Sequence, residues 1–298
     1  MGAQRMPAAE VDISADLVRR LLAAQQPDLA HLPVEVMTHG WDNVMCRIGD
    51  DLVARLPRRA LAVKFLLHEQ RWLPVLAPRL PLPVPALVRA GRPGLGYPWP
   101  WSIVPFLPGQ PAAGNPPADP GTAAASLGGF LGALHTPAAP HTPVHNSRGI
   151  PLADRSAVFA QNLDALGNRI DRGAVVRLWK VALAAPVWAG PPLWLHGDLH
   201  PANILVHRGR ISGVIDFGDV TGGDPAGDLS IAWMLLPVEH HETFQNAYRS
   251  SAGHPADDAC WTRAKGWALA MSLVYLAHSA DNAQLAGMGQ RTLSAVLA

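Results

Sequence analysis

The sequence has two cysteines, no long run of one charge, and no uninterrupted apolar stretch of membrane-spanning length. Each absence excludes something. Cys46 and Cys260 are far apart in apolar surroundings, so two buried free thiols in a reducing compartment are expected rather than a disulfide framework. Lysine and arginine number 24 against 23 aspartates and glutamates, a formal charge of +1 that offers no electrostatic footprint for nucleic acid. The densest basic cluster, Arg55-Leu56-Pro57-Arg58-Arg59, is too short to hold a duplex alone. Residues 1–12 contain no apolar segment of secretory-signal type. The longest apolar-rich run, 266–277, falls short of the roughly 18 residues of a membrane span and reads as a buried helix. A cytoplasmic protein with no nucleic-acid and no membrane partner is therefore expected.

What is present describes an ordinary globular enzyme. The chain has 298 residues, 49% apolar and 16% charged. A chain of that length buries roughly three-quarters of its unfolded surface, so its stability needs neither disulfide nor metal.

Ser14 is placed to cap a helix through about residue 24, with Leu17, Leu21 and Leu22 as its apolar stripe. Strand-like runs follow at 34–38, 43–48 and 52–56, separated by Gly40 and by Gly49-Asp50-Asp51 as hairpin turns require. A helical pattern over 60–76 ends before Pro78, Pro81, Pro83 and Pro85, and two further strands are expected at 86–90 and 99–106. Residues 107–121 are dense in proline and glycine and mark a boundary. Beyond it, helices are expected at 122–135, 153–168 and 174–183. Short strands at 204–206 and 211–215 come next, and helices resume from 228. The expected fold class is α+β and two-lobed. A small β-rich lobe (1–107) precedes a larger, mainly helical lobe (108–298).

The segment His196-Gly197-Asp198-Leu199-His200-Pro201-Ala202-Asn203-Ile204-Leu205-Val206, followed by Gly213-Val214-Ile215-Asp216-Phe217-Gly218-Asp219, carries the chemistry. Phosphoryl transfer from ATP needs a carboxylate to orient the attacking hydroxyl and accept its proton, and oxygen ligands to hold magnesium on the phosphates. Asp198 stands five residues before Asn203 on a loop that runs into a strand. A hairpin of the two short strands would bring Asp216 beside Asn203. His196 then serves to hold the loop through backbone groups. The His196/His200 spacing imitates a helical zinc pair, but Gly197 and Pro201 oppose a helix there and no Glu follows the first His. The run Gly91-Arg92-Pro93-Gly94-Leu95-Gly96 imitates a phosphate loop, but lacks the G-x-G-x-x-G spacing and reads as a turn.

This pattern, HGDLHPANILV followed by GVIDFGD, resembles the aminoglycoside phosphotransferase family, a branch of the protein-kinase-like fold that also includes choline kinases. The resemblance implies an ATP- and magnesium-dependent phosphotransferase acting on a hydroxyl group. Asp198 would be the catalytic base, with Asn203 and Asp216 as the metal ligands. It further implies a basic side chain on the third strand paired with a glutamate on the next helix; Arg55 and Glu69 take those positions, with Lys64 as a rival. Asn43, in the hairpin that stands where a phosphate loop would be, is a candidate phosphate contact. The Val104 carbonyl and the Phe106 N–H are candidates to meet the adenine. Asp228 is expected at a helix start, bracing the catalytic loop.

The acceptor pocket should come from the helices after Asp228, with 109–145 as a further contributor. Candidate carboxylates there are Glu239, Glu242, Asp257, Asp258 and Asp281, spread among Trp261, Trp267, Met271 and Tyr275. An antibiotic of aminoglycoside, macrolide or nucleoside type and a metabolite such as choline, homoserine or a sugar all remain open as acceptors. An active kinase is expected over a catalytically silent nucleotide-binding module, because the Asp198, Asn203 and Asp216 set is intact.

Overall fold

The computed structural model describes residues 7–254, 256–279 and 282–298; Asp281, a candidate acceptor carboxylate, lies outside them. Helix α1 (Ala15–Gln25) starts where the Ser14 hydroxyl accepts the Leu17 N–H, and it buries Leu17, Val18, Leu21 and Leu22. Strands β1 (Val34–His39), β2 (Asn43–Ile48) and β3 (Leu52–Pro57) form an antiparallel meander. Gly49, at φ 55°, makes the β2–β3 turn in a region that favours glycine. In β1 the register shifts between Val36 and Thr38, leaving Met37 as an extra residue in a bulge.

Helix α2 (Val63–Leu76) follows a 3-10 turn at Ala60–Ala62. Strands β4 (Arg89–Gly91) and β5 (Trp101–Pro105) complete a five-stranded sheet in the order β1-β2-β3-β5-β4. Its core holds Leu21, Ile48, Leu56, Trp101 and Ile103. The strand expected from residue 86 starts only at Arg89: the Ala86 N–H turns back to the Val84 carbonyl, and the first N–H given to β5 is that of Val88, to the Ile103 carbonyl.

Strand β6 (Gln110–Pro111) leads to α3 (Pro120–Leu134), which Asp119 caps through the Thr122 N–H. After a long loop come α4 (Ser156–Leu166), α5 (Arg172–Ala184) and β7 (Leu193–Leu195). The hairpin β8 (Ile204–His207) and β9 (Arg210–Val214) pairs with β6, while β10 (Thr221–Gly223) pairs with β7. Helices α6 (Ala226–Leu229), α7 (Ile231–Leu235), α8 (His241–Ser251), α9 (Asp258–His278) and α10 (Ala283–Leu297) finish the chain. Helix α9 is buried on most sides and packs against α4, α5, α6 and α10, so the apolar run 266–277 is indeed a core helix. Strands β6, β7 and β10 were not expected from the sequence; at two or three residues they are too short to show alternation.

The fold is α+β, with a sheet-rich first part and a helical second part. Both cysteines are free and buried. Among the described residues no helix is long and apolar enough to cross a membrane.

Candidate active site

The β8–β9 hairpin sets the centre of the site. The Ile215 N–H donates to the Asn203 carbonyl at 2.9 Å, so the chain leaving β9 passes directly over the loop that enters β8. Asp216 then adopts φ 66°, a left-handed conformation that aspartate tolerates better than most side chains, and its carboxylate is exposed to the cleft. The next residue, Phe217, is fully buried against His196, with ring centroids 4.5 Å apart.

The loop of Asp198 is held from several sides. The His196 ring meets the Ile215 carbonyl at 2.9 Å and accepts the Asp198 N–H at 3.2 Å, the backbone role expected for it. Gly197 has φ 85°, and a Cβ there would lie 2.3 Å from the Asp219 carbonyl oxygen. Beneath the loop, the buried Asp228 carboxylate accepts the His196 N–H at 2.7 Å and the Gly197 N–H at 3.0 Å. Burial raises its carboxyl, but His135, at 3.3 Å, and His196 outweigh that and hold it below the usual range. Asp228 braces the loop as expected, though from within α6 rather than as its cap, since the helix already starts at Ala226.

Asn203 donates its amide N–H to the Asp198 carbonyl at 2.9 Å, which leaves its Oδ1 available. The Asp198 carboxylate itself faces Arg148 at 2.5 Å and His200 at 3.5 Å. Burial raises the Asp198 carboxyl, but Arg148, then His200 and His196, hold it far below the ordinary range. Arg148 also lies 3.6 Å from Asp219, and His145 approaches the same carboxylate at 3.4 Å. Burial and the neighbouring Asp198 leave Asp219 raised despite the Arg148 guanidinium. Neither Arg148 nor His145 was singled out from the sequence.

Across the cleft, Arg55 on β3 and Glu69 on α2 form a buried ion pair at 2.7 Å. Burial opposes the Arg55 charge, and Glu69 and Asp216 together outweigh it. Arg55 also stands 3.9 Å from Asp216, and Glu69 accepts the Phe217 N–H at 2.9 Å. Lys64 is exposed and lies over the Phe65 ring, so it is no rival for the pairing. One cleft is thus lined by Asn43, Arg55, Glu69, Asp198, Asp216 and Asp219. The β1–β2 hairpin above it is stapled by Arg59 on Asp42 and by Arg58 on the Gly40 carbonyl, and the Asn43 Oδ1 is buried without a partner.

Two expected adenine contacts are corrected. The Phe106 N–H is given to the Asp51 carbonyl at 2.7 Å, so it is not free for a base. Val104 pairs with Val53, and antiparallel alternation turns its carbonyl toward β3 as well.

Among the described residues there is no group of three or more His, Cys, Asp or Glu side chains that would cage a metal. Magnesium needs no such cage; one or two carboxylates and substrate phosphates suffice, with waters completing the shell. The exposed Asp216 carboxylate and the free Asn203 Oδ1 are hard oxygen donors that fit it.

On the other side of Asp198 lies a second, narrower pocket, lined by Arg148, Leu199, Met234, Trp267, Met271 and Tyr275 among others. Trp267, Met271 and Tyr275 recur every fourth residue along α9 and so share one face. That helix is fixed by the buried Arg263, which grips Asp224 at 2.8 and 3.1 Å. Glu239, Glu242, Asp257 and Asp258 do not line the pocket. Asp257 instead caps α9 through the Cys260 N–H.

The model of the phosphotransferase enzyme family matches residues 33–267. No curated protein sequence matches the chain. Among solved structures, the GDP complex of an aminoglycoside 2'-phosphotransferase-IIIa is 19% identical with TM-score 0.68, covering 96% of this chain and 99% of its own. The macrolide 2'-phosphotransferase MphH from Brachybacterium faecium is 25% identical with TM-score 0.60, covering 95% and 97%. The ternary complex of streptomycin, ATP and APH(2")-IIa is 16% identical with TM-score 0.58, covering 96% and 99%.

Proposed function

The chain belongs to the phosphotransferase enzyme family, and from that premise we propose that it transfers the γ-phosphoryl group of ATP to a hydroxyl of a small molecule. Asp198 is the base, and Asn203 and Asp216 are the residues that hold magnesium. The observation that carries this reading is the convergence of Asp198, Asp216, Arg55 and Glu69 on one cleft, with Asn203 tied to the Asp198 backbone. The nucleotide sits between the lobes 1–107 and 108–298, its phosphates near Arg55 and Asn43. Because the Val104 carbonyl and Phe106 N–H face β3, the adenine contacts move by one residue, to the Pro105 carbonyl and the Leu107 N–H.

The acceptor oxygen attacks the γ-phosphorus while the bond from that phosphorus to the β–γ bridging oxygen breaks. ADP leaves with the electron pair, and the hydroxyl proton passes to Asp198. A carboxylate held well below its ordinary range is ionised at neutral pH and aligns the hydroxyl as an acceptor. Magnesium, when bound, neutralises charge developing on the β- and γ-phosphate oxygens. Arg55, fixed by Glu69, is a planar fork that can bridge phosphate oxygens where many relatives carry lysine.

An antibiotic-type acceptor is supported by the similar aminoglycoside and macrolide enzymes. The pocket beside Asp198 disfavours a polycationic one. Its lining is largely apolar, and Asp228, its carboxylate other than Asp198, is already consumed by two backbone N–H groups. The test is ADP release from ATP and magnesium with a panel of hydroxylated antibiotics and metabolites, with Asp198→Asn as control. Turnover with an acceptor should fall by about two to four orders of magnitude in the control while nucleotide binding persists. Undiminished turnover in Asp198→Asn would refute the base.

A further inference from the structure

Two polar groups on residues lining the pocket beside Asp198 are buried without a hydrogen-bond partner, Trp267 Nε1 and Tyr275 Oη, and Arg148 Nε beside them has only the Asp219 carboxylate at 3.6 Å. Trp267 and Tyr275 are more than nine-tenths buried. Arginine and tryptophan only donate, and the Tyr275 hydroxyl keeps its proton because burial and the Asp198 charge both push its ionisation up. Each orphaned donor costs about 1–3 kcal/mol, so two beside a guanidinium in one pocket describe a place for a ligand rich in acceptor oxygens.

The charges agree. A second guanidinium, Arg155, lies 5.6 Å over the Trp267 ring and has no ion-pair partner among the described residues. Of the nearby carboxylates, Asp198 and Asp219 both face Arg148, at 2.5 and 3.6 Å, and Asp228 is taken by the loop, so Arg155 stays uncompensated. The free space is about 20 Å³, room for roughly one water. An acceptor must therefore move the Arg148 side chain aside. A cationic acceptor has nothing to offer it. An anion does.

We propose that the acceptor carries an anionic group, such as a carboxylate, close to the reacting hydroxyl, and that Arg148 selects it by leaving Asp198 to pair with that anion. The proposal rests on the kinase reading above and narrows its acceptor class. Selection and exposure of the base are then one event. The same side chain that recognises the acceptor uncovers the carboxylate that must receive its proton.

Three acceptors on one carbon skeleton test this: gluconate, gluconamide and glucamine, which are anionic, neutral and cationic. Each is titrated by calorimetry into the protein with and without saturating magnesium and ATP, and ADP release is followed in parallel. Gluconate is expected to bind at least about tenfold more tightly than gluconamide, and glucamine more weakly still. Arg148→Ala should reduce gluconate binding to the level of gluconamide, and Arg148→Lys should keep part of the preference. Retained magnesium-ATP binding in each variant reports that it is folded. The proposal is overturned if gluconamide or glucamine binds as well as gluconate. It is equally overturned if none of the three binds at millimolar concentration, or if Arg148→Ala keeps the preference. A wild-type protein that binds no magnesium-ATP would instead sink the kinase reading, while the nucleotide-free titrations still decide the anion site.

Discussion

The Glu69 carboxylate, on a helix beside the sheet, accepts the backbone N–H of Phe217, 148 residues further along the chain, at 2.9 Å. Because Glu69 also holds Arg55, one buried side chain ties the cation over the cleft to the segment that presents Asp216. Replacing Glu69 with Ala leaves a buried guanidinium and a buried N–H without their partner. That variant is expected to lose about 3–5 kcal/mol of stability, measured by urea denaturation. A loss below about 1 kcal/mol would mean that Arg55 finds solvent or Asp216 instead.

Asp216→Ala should weaken nucleotide binding only when magnesium is present. Calorimetry with ATP, with and without the metal, is expected to show a loss of about tenfold or more in the first titration and little change in the second. Equal losses in both would assign Asp216 to the fold rather than to the metal.

Gly197→Ala brings a Cβ to 2.3 Å from the Asp219 carbonyl oxygen at a backbone φ of 85°. The variant should be destabilised by at least about 1–2 kcal/mol. The loop must also shift Asp198, so turnover should fall even at temperatures where the protein is fully folded. A fully active, equally stable variant would show that the loop has slack.

Asp228 gives the pH dependence a sign. Its folded carboxyl lies below the ordinary value of about 4, so in the acid range the unfolded chain takes up the proton first. The stability it contributes is fully present above that ordinary value and is lost as pH falls toward the folded one. Thermal midpoints between about pH 2.5 and 7 should therefore drop toward acid in the wild type and be lower but flatter in Asp228→Asn. Parallel curves would remove Asp228 from the acid response.

Much of this site was legible because its parts are local. Asp198, Asn203 and Asp216 fall in one loop–hairpin segment whose glycines and short apolar runs dictate its turns, and the Arg55–Glu69 pair follows from a strand and the helix after it. That Val104 and Phe106 turn toward β3 was not legible, since which face of β5 turns its carbonyls toward β3 depends on pairing register, a long-range property. Arg148 was missed for a different reason. It sits in an irregular loop without periodicity, and its partner Asp198 is 50 residues away, so no spacing rule connects them. Asp228 was recognised, but helix ends are indistinct and α6 starts two residues earlier than its motif suggests.

The bulge at Met37 bears on how the protein behaves in a crowd of its own copies. Strand β1 is the border of the sheet, and Val36 and Met37 are exposed on it. A straight border of that composition would be a template on which another molecule's strand could stack, and another on that. The extra residue breaks the row of N–H and C=O groups and twists the border out of line, so an incoming strand cannot match it over more than a few residues. Deleting Met37 would remove that irregularity and leave a cleaner seam for filament growth.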